Sequence, residues 1–172
     1  MKLDSQKARK LESVKESTFP ALQLSGFPAP RMIGVFDSGI GGLTVLKELL
    51  RMLPECGFVY LGDTARTPYG SKSPETVQRY AREDAEFLVR RGARMIVIAC
   101  NTASALAARE LAIAFPRIPV IEVVMPAIDS ACTATRSGAI GVIGTRATIV
   151  SGVYEREFTR RLPTIRVVSQ AC

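Results

Sequence analysis

A chain of 172 residues that is 47% hydrophobic can bury a sizeable core; it is long for one domain and short for two. No apolar run reaches membrane-spanning length, the N-terminal stretch lacks a secretory apolar segment, and Asp4, Glu12 and Glu16 speak against a transit peptide, so a cytoplasmic protein with no membrane partner is expected. The net charge of +7 is scattered in small pairs such as Arg90-Arg91 and Arg160-Arg161, with no aromatic stacking motif beside them, which favours attraction of small anions over nucleic acid.

Residues 1–31 are polar, mixed in charge and end in Phe27-Pro28-Ala29-Pro30, as expected of a flexible extension. The globular part opens with an apolar strand over Met32–Phe36, followed by a helix over Gly42–Met52 and a second strand over Phe58–Leu61. A polar loop runs to Ser73, an N-cap with Pro74 at the first helical position and Glu75 in the first turn. That helix is predicted to run to Arg91 and stop at Gly92. Arg94–Ala99 reads as a strand, Thr102–Ala114 as a helix, Pro119–Val123 as a strand and Pro126–Thr135 as a helix. Ala139–Ile143 follows as a strand, Ala147–Arg161 as one helix and Ile165–Val168 as a last strand.

Short apolar strands alternating with helices predict an α/β fold, a parallel sheet flanked by helices. Ligands of such sheets collect at the carboxyl ends of the strands. Those ends carry Asp37-Ser38, Gly62-Asp63-Thr64, Cys100-Asn101-Thr102, Glu122 and Thr145. Ile33-Gly34-Val35-Phe36 is faintly echoed by Ile140-Gly141-Val142-Ile143, which suggests two related α/β units.

The chain has no histidine, so acid–base chemistry falls to Cys, Asp, Glu, Lys or Tyr, and histidine-ligated metals are excluded. Cys56, Cys100, Cys132 and Cys172 lie far apart, which predicts neither a zinc site nor a disulfide framework. Cys100 stands where an apolar strand runs into a helix, beside free N–H groups that stabilise a thiolate. It reads as a nucleophile or base, with a small buried hydrophobe as the bland alternative. Phe36-Asp37-Ser38-Gly39-Ile40-Gly41-Gly42 is a glycine-rich strand-end turn that matches neither nucleotide-binding fingerprint. Asp37 there either caps the next helix or binds a substrate and moves a proton. Gly62 to Gly70 is a long connection in which Pro68 and Gly70 frame Tyr69, a functional loop or an ordered turn. Lys47 and Lys72, the only lysines after residue 31, sit on a predicted helix and in a loop, which sets pyridoxal chemistry aside.

Phe36–Gly42, Gly62-Asp63-Thr64-Ala65-Arg66 with Pro68-Tyr69-Gly70, Ala99-Cys100-Asn101-Thr102-Ala103-Ser104 and Gly141–Thr148 occur in that order. Together they resemble the glutamate racemases of the aspartate/glutamate racemase superfamily, over about residues 32 to 172. The resemblance implies two α/β domains, 32–123 and an incomplete 124–172, with the active site between them and no cofactor or metal. It implies that Cys100 removes the α-proton of glutamate, with Asp37 a candidate to assist. Asp37, Ser38, Tyr69, Gly70, Asn101 and Thr102 would contact substrate, as would Thr145 and Thr148. The family's second catalytic cysteine lies in a Cys-Thr-His motif; the chain has none, and the neighbours of Cys172 do not match it. The implied activity is interconversion of L- and D-glutamate for peptidoglycan in a C-terminally truncated member. The alternatives are an aspartate or hydantoin racemase and an inactive binding module. An incomplete second domain exposes apolar surface and is expected to favour a homo-oligomer.

Overall fold

The computed structural model describes residues 32–172; the extension expected over 1–31 lies outside the described residues. Six strands alternate with helices: β1 (Met32–Asp37), α1 (Leu43–Met52), β2 (Gly57–Gly62), a 3-10 turn (Tyr69–Ser71), α2 (Pro74–Arg90), β3 (Met95–Ile98), α3 (Asn101–Ala114), β4 (Val120–Glu122), α4 (Val124–Ala134), β5 (Ala139–Gly144), α5 (Arg146–Val150), α6 (Val153–Arg161) and β6 (Arg166–Ala171). All pairings are parallel, in a four-stranded sheet of order β2-β1-β3-β4 and a two-stranded sheet β5-β6. This is the expected α/β class.

The central strands β1 and β3 form because each is a short apolar run that buries both faces. In β1, Ile33 and Val35 point to one side, where Val45, Leu46 and Leu49 of α1 cover them. Phe36 points to the other, with Ile96 and Ile98 of β3, against Val77, Ala81, Ala85 and Leu88 of α2 and Ala103, Ala107 and Leu111 of α3. A Cβ on Gly34 would lie 2.9 Å from the Cβ atoms of Leu88 and Ala93, so the glycine lets α2 lie close on the sheet. Ser73 accepts the N–H of Thr76 at 3.3 Å and caps α2. Ser73→Ala is expected to cost about 1 kcal/mol, read as a lower urea midpoint at unchanged slope.

Val124 and Ile128 of α4, Val142 of β5 and Phe158 of α6 form a separate, smaller core around the second sheet. Ile143, Val150 and Val168 remain exposed on this side. The single helix expected over Ala147–Arg161 is two: α5 and α6 are separated at Gly152, whose φ of 64° takes the left-handed conformation that glycine adopts freely. Helix α4 starts at Val124, two residues before the expected Pro126, whose missing N–H is harmless within the first turn. No helix among the described residues is long and apolar enough to cross a membrane.

Candidate active site

The strand order reverses beside β1: β2 lies on one side and β3 on the other, so the carboxyl ends of β1 and β3 border a crevice. Phe36 pairs with Ile98, and the Ala99 N–H donates to the Phe36 carbonyl at 2.8 Å. Asp37-Ser38 and Cys100, 62 residues apart in sequence, therefore leave the sheet side by side. The Cys100 thiol donates to Ser38 Oγ at 3.2 Å, and its Sγ accepts the Ala103 N–H at 3.4 Å as the N-cap of α3. Cys100 is 6% exposed, so its sulfur faces a sheltered corner under a helix N-terminus.

Asp37 is buried, and its Oδ2 accepts the Gly42 N–H at 2.9 Å. A Cβ on Gly42 would lie 2.7 Å from the Asp37 Cβ and 2.9 Å from the Ala99 Cβ. The glycine-rich turn thus folds back over the end of β1 and fixes the carboxylate, leaving its other oxygen without a hydrogen bond to the Gly42 turn. Asp37 thus takes the N–H of Gly42, the N-cap residue of α1.

Thr102, Thr145 and Thr148 form a second cluster. Their hydroxyls lie 2.9 Å apart for Thr102 and Thr145, 3.2 Å for Thr102 and Thr148, and 2.9 Å for Thr145 and Thr148. Thr145 also caps α5 by accepting the Thr148 N–H at 3.3 Å. This hydroxyl cluster joins α3 of the first unit to α5 of the second. Gly70 seals the same junction: a Cβ there would lie 2.4 Å from the Thr145 Cβ and 2.6 Å from its Cγ2. Asn101 Oδ1 accepts from the Tyr154 hydroxyl of α6 at 2.8 Å, a second tie between the units that the sequence did not reveal.

Tyr69 turns its hydroxyl into a carboxylate cluster. It is 1% exposed, and its phenol oxygen lies 2.5 Å from Asp63 Oδ2 and 2.9 Å from Asp84 Oδ2. Arg66 closes the cluster, donating Nε to Asp63 Oδ2 and Nη2 to Asp84 Oδ1, each at 2.6 Å, and Nη1 to Glu83. Its guanidinium lies 4.5 Å from the centre of the Tyr80 ring, a cation–π contact. Burial above all, then the Asp63 hydrogen bond, raises the Tyr69 phenol and keeps it protonated. Sequence reasoning missed Asp84. The signal was there: it stands among Val77, Ala81, Ala85 and Leu88 at helical spacing, a carboxylate on an apolar face. Glu122 accepts the N–H groups of Val124 and Met125 and caps α4, while its burial raises its carboxyl. Among the described residues, no three His, Cys, Asp or Glu side chains are grouped to hold a metal.

Residues 33–171 match the family model described as Asp/Glu/Hydantoin racemase. A glutamate racemase of Geobacter metallireducens is 52% identical over 142 residues, which are 83% of this chain and 52% of that protein. One of Enterococcus faecalis is 49% identical over 140 residues, 81% of this chain and 51% of that protein. The chain thus spans about half the length of the curated relatives it matches. Among solved structures, the glutamate racemase from Aquifex pyrophilus superposes with a TM-score of 0.79 at 46% identity, over 82% of this chain and 55% of that one. The Francisella tularensis glutamate racemase in complex with D-glutamate gives 0.76 at 43% identity, over 83% of this chain and 53% of that one.

Proposed function

Because the chain belongs to the Asp/Glu/hydantoin racemase family, we propose that its rim binds glutamate and that Cys100 exchanges the α-proton without a cofactor, in an enzyme interconverting L- and D-glutamate for peptidoglycan. The observation that carries this reading is the sheltered Cys100 thiol, hydrogen-bonded to Ser38 and capped by α3, at the crevice where the strand order reverses. In this reading the units 32–123 and 124–172 are two α/β domains that flank the substrate. The Cys100 thiolate takes the α-proton, forming an S–H bond while the C–H electron pair stays on the α-carbon and spreads into the carboxylate. Such a step needs a positioned base and groups that stabilise the developing negative charge. The N-terminal end of α3 and the hydroxyls of Ser38, Thr102, Thr145 and Thr148 support that role, with Asn101 and the Gly70 backbone as further contacts. Tyr69 contributes by fixing the turn that carries Gly70.

The test is incubation of the 172-residue chain with L-glutamate in deuterated water. Cys100-dependent deuterium at the α-carbon is expected, and its absence would remove the reading. L-Aspartate and a substituted hydantoin run in parallel, because the family model spans all three substrate types. Faster exchange of either would move the assignment to that branch.

Asp37→Asn separates the two readings of that residue. The amide oxygen still accepts the Gly42 N–H, so the fold should hold. The rate of α-proton exchange is expected to fall more than glutamate affinity, the pattern of a group acting in the transition state. Equal rates for wild type and variant would reduce Asp37 to a cap.

A further inference from the structure

The Tyr69 cluster poses a problem of proton counting. A phenol has one proton, yet two carboxylate oxygens, Asp63 Oδ2 and Asp84 Oδ2, lie within hydrogen-bond distance of its oxygen. When Tyr69 donates to Asp63, the Asp84 contact is a hydrogen bond only if Asp84 carries a proton and donates it to the phenol oxygen. Asp63 Oδ2 already receives two donors, Arg66 Nε and the phenol, whereas Asp84 Oδ2 has the phenol oxygen as its neighbour. Asp84 is 1% exposed and lies on the apolar face of α2. One guanidinium, that of Arg66, is shared among Asp63, Glu83 and the buried Asp84.

We propose that Asp84 is a positioning residue for the candidate site: as the protonated partner of Tyr69, it holds the Tyr69–Gly70 turn against Thr145 and so fixes the hydroxyl cluster of Thr102, Thr145 and Thr148. The mechanical path is short. Tyr69 opens the 3-10 turn, Gly70 is its second residue, and Thr145 packs on Gly70 closely enough that no Cβ fits between them. Loss of the Asp84 proton leaves a single phenol proton between two carboxylate oxygens, so one of the two contacts loses its hydrogen bond and the turn loosens from Thr145.

Burial holds the Asp84 carboxyl up at about 6, with Asp63 and Glu83 adding to the rise, and Arg66 and the hydrogen bond that Tyr69 can donate to the ionised carboxylate opposing it. The ionisable groups facing it are thus Asp63 and Arg66 from the loop after β2, Tyr69 from the 3-10 turn and Glu83 of α2 itself. A carboxyl raised in the folded chain stabilises it below the unfolded value of 3.8, and that contribution is lost as pH rises through the folded one. The turn should therefore be tight in mild acid and looser above neutrality.

The experiment follows the Thr145 methyl resonance, and its nuclear Overhauser contact to the Gly70 α-protons, in the full chain over roughly pH 4 to 8. Wild type is expected to show one step centred near pH 6, with the contact weaker above it. Asp84→Asn, whose amide donates to the phenol at every pH, should lack the step and keep the tight position. Tyr69→Phe removes the shared oxygen and should uncouple Thr145 from the titration. A flat Thr145 signal in wild type, or a step that persists in Asp84→Asn, overturns the proposal. The consequence for substrate rests on the glutamate reading: affinity in wild type should weaken severalfold across the step and stay level in Asp84→Asn. Failure to bind glutamate at any pH would count against that reading, while the Thr145 signal still decides the role of Asp84.

Discussion

Gly70→Ala should destabilise the folded chain by about 1–3 kcal/mol, the range of an overpacked core, and do so by prising the two α/β units apart. The added Cβ would stand 2.4 Å from the Thr145 Cβ, a distance that no rotation of Thr145 about its own χ1 can relieve. Neither partner can easily retreat. Tyr69 is held by Asp63 and Asp84, and Thr145 is held as the cap of α5 and by Thr102. The measurement is a urea unfolding curve for Gly70→Ala, Thr145→Gly and the double variant. Thr145→Gly alone loses the α5 cap and the hydroxyl bonds to Thr102 and Thr148, and opens the space the alanine needs. The double variant should therefore be more stable than the sum of the single effects allows. Strict additivity would show that the two residues do not touch. Gly41→Ala is the control in the neighbouring turn: its nearest neighbour is Asp37 Oδ2 at 3.7 Å, an ordinary contact, and little change is expected.

The sequence disclosed the fold through local signals, and its silences have local causes too. The strands of the first sheet are short apolar runs, and the Ser73-Pro74 start of α2 carries the Ser N-cap and Pro N1 pattern that marks a helix start. Gly152 lies inside the helix expected over Ala147–Arg161, and its positive φ divides α5 from α6. The locations of Ser38 and Cys100 at strand ends were legible, because apolar runs stop there. Their contact was not, since it depends on β1 and β3 being neighbours, and strand order is a long-range property. Tyr69 shows the same limit. Its hydroxyl turns into a carboxylate cluster because Asp63 and Asp84 arrive from a loop and a helix, six and fifteen residues away. Asn101 and Tyr154, 53 residues apart, carried no mutual signal at all.

The largest expected effect falls on the balance between proton exchange and inversion. In deuterated water the 172-residue chain should place deuterium on the α-carbon of L-glutamate faster than it forms D-glutamate. Cys100→Ala should lower that exchange by about 10²–10⁴-fold, the usual span of one acid–base group. Inversion needs a proton delivered to the face opposite the base that removed one. Cys100 lies in the corner it shares with Ser38 and the start of α3, which on the proposed reading is the side of the base. Of the other thiols, Cys56 packs against the core on the α1 side of the sheet and Cys132 against the second core, neither at a strand's carboxyl end. Cys172 differs: it directly follows β6, is exposed, and its thiol lies 3.5 Å from the Gly144 carbonyl, one residue from Thr145. On the proposed reading, with Cys100 the sheltered thiol at the crevice, the carbanion is expected to recapture its proton, or a deuteron exchanged onto the same sulfur, from the side it left. Chiral separation of the product and its α-deuterium content, followed together, give both rates from one sample. Equal rates would mean that a second donor stands on the opposite wall, and Cys172→Ala would then show whether that donor is the thiol at the end of β6.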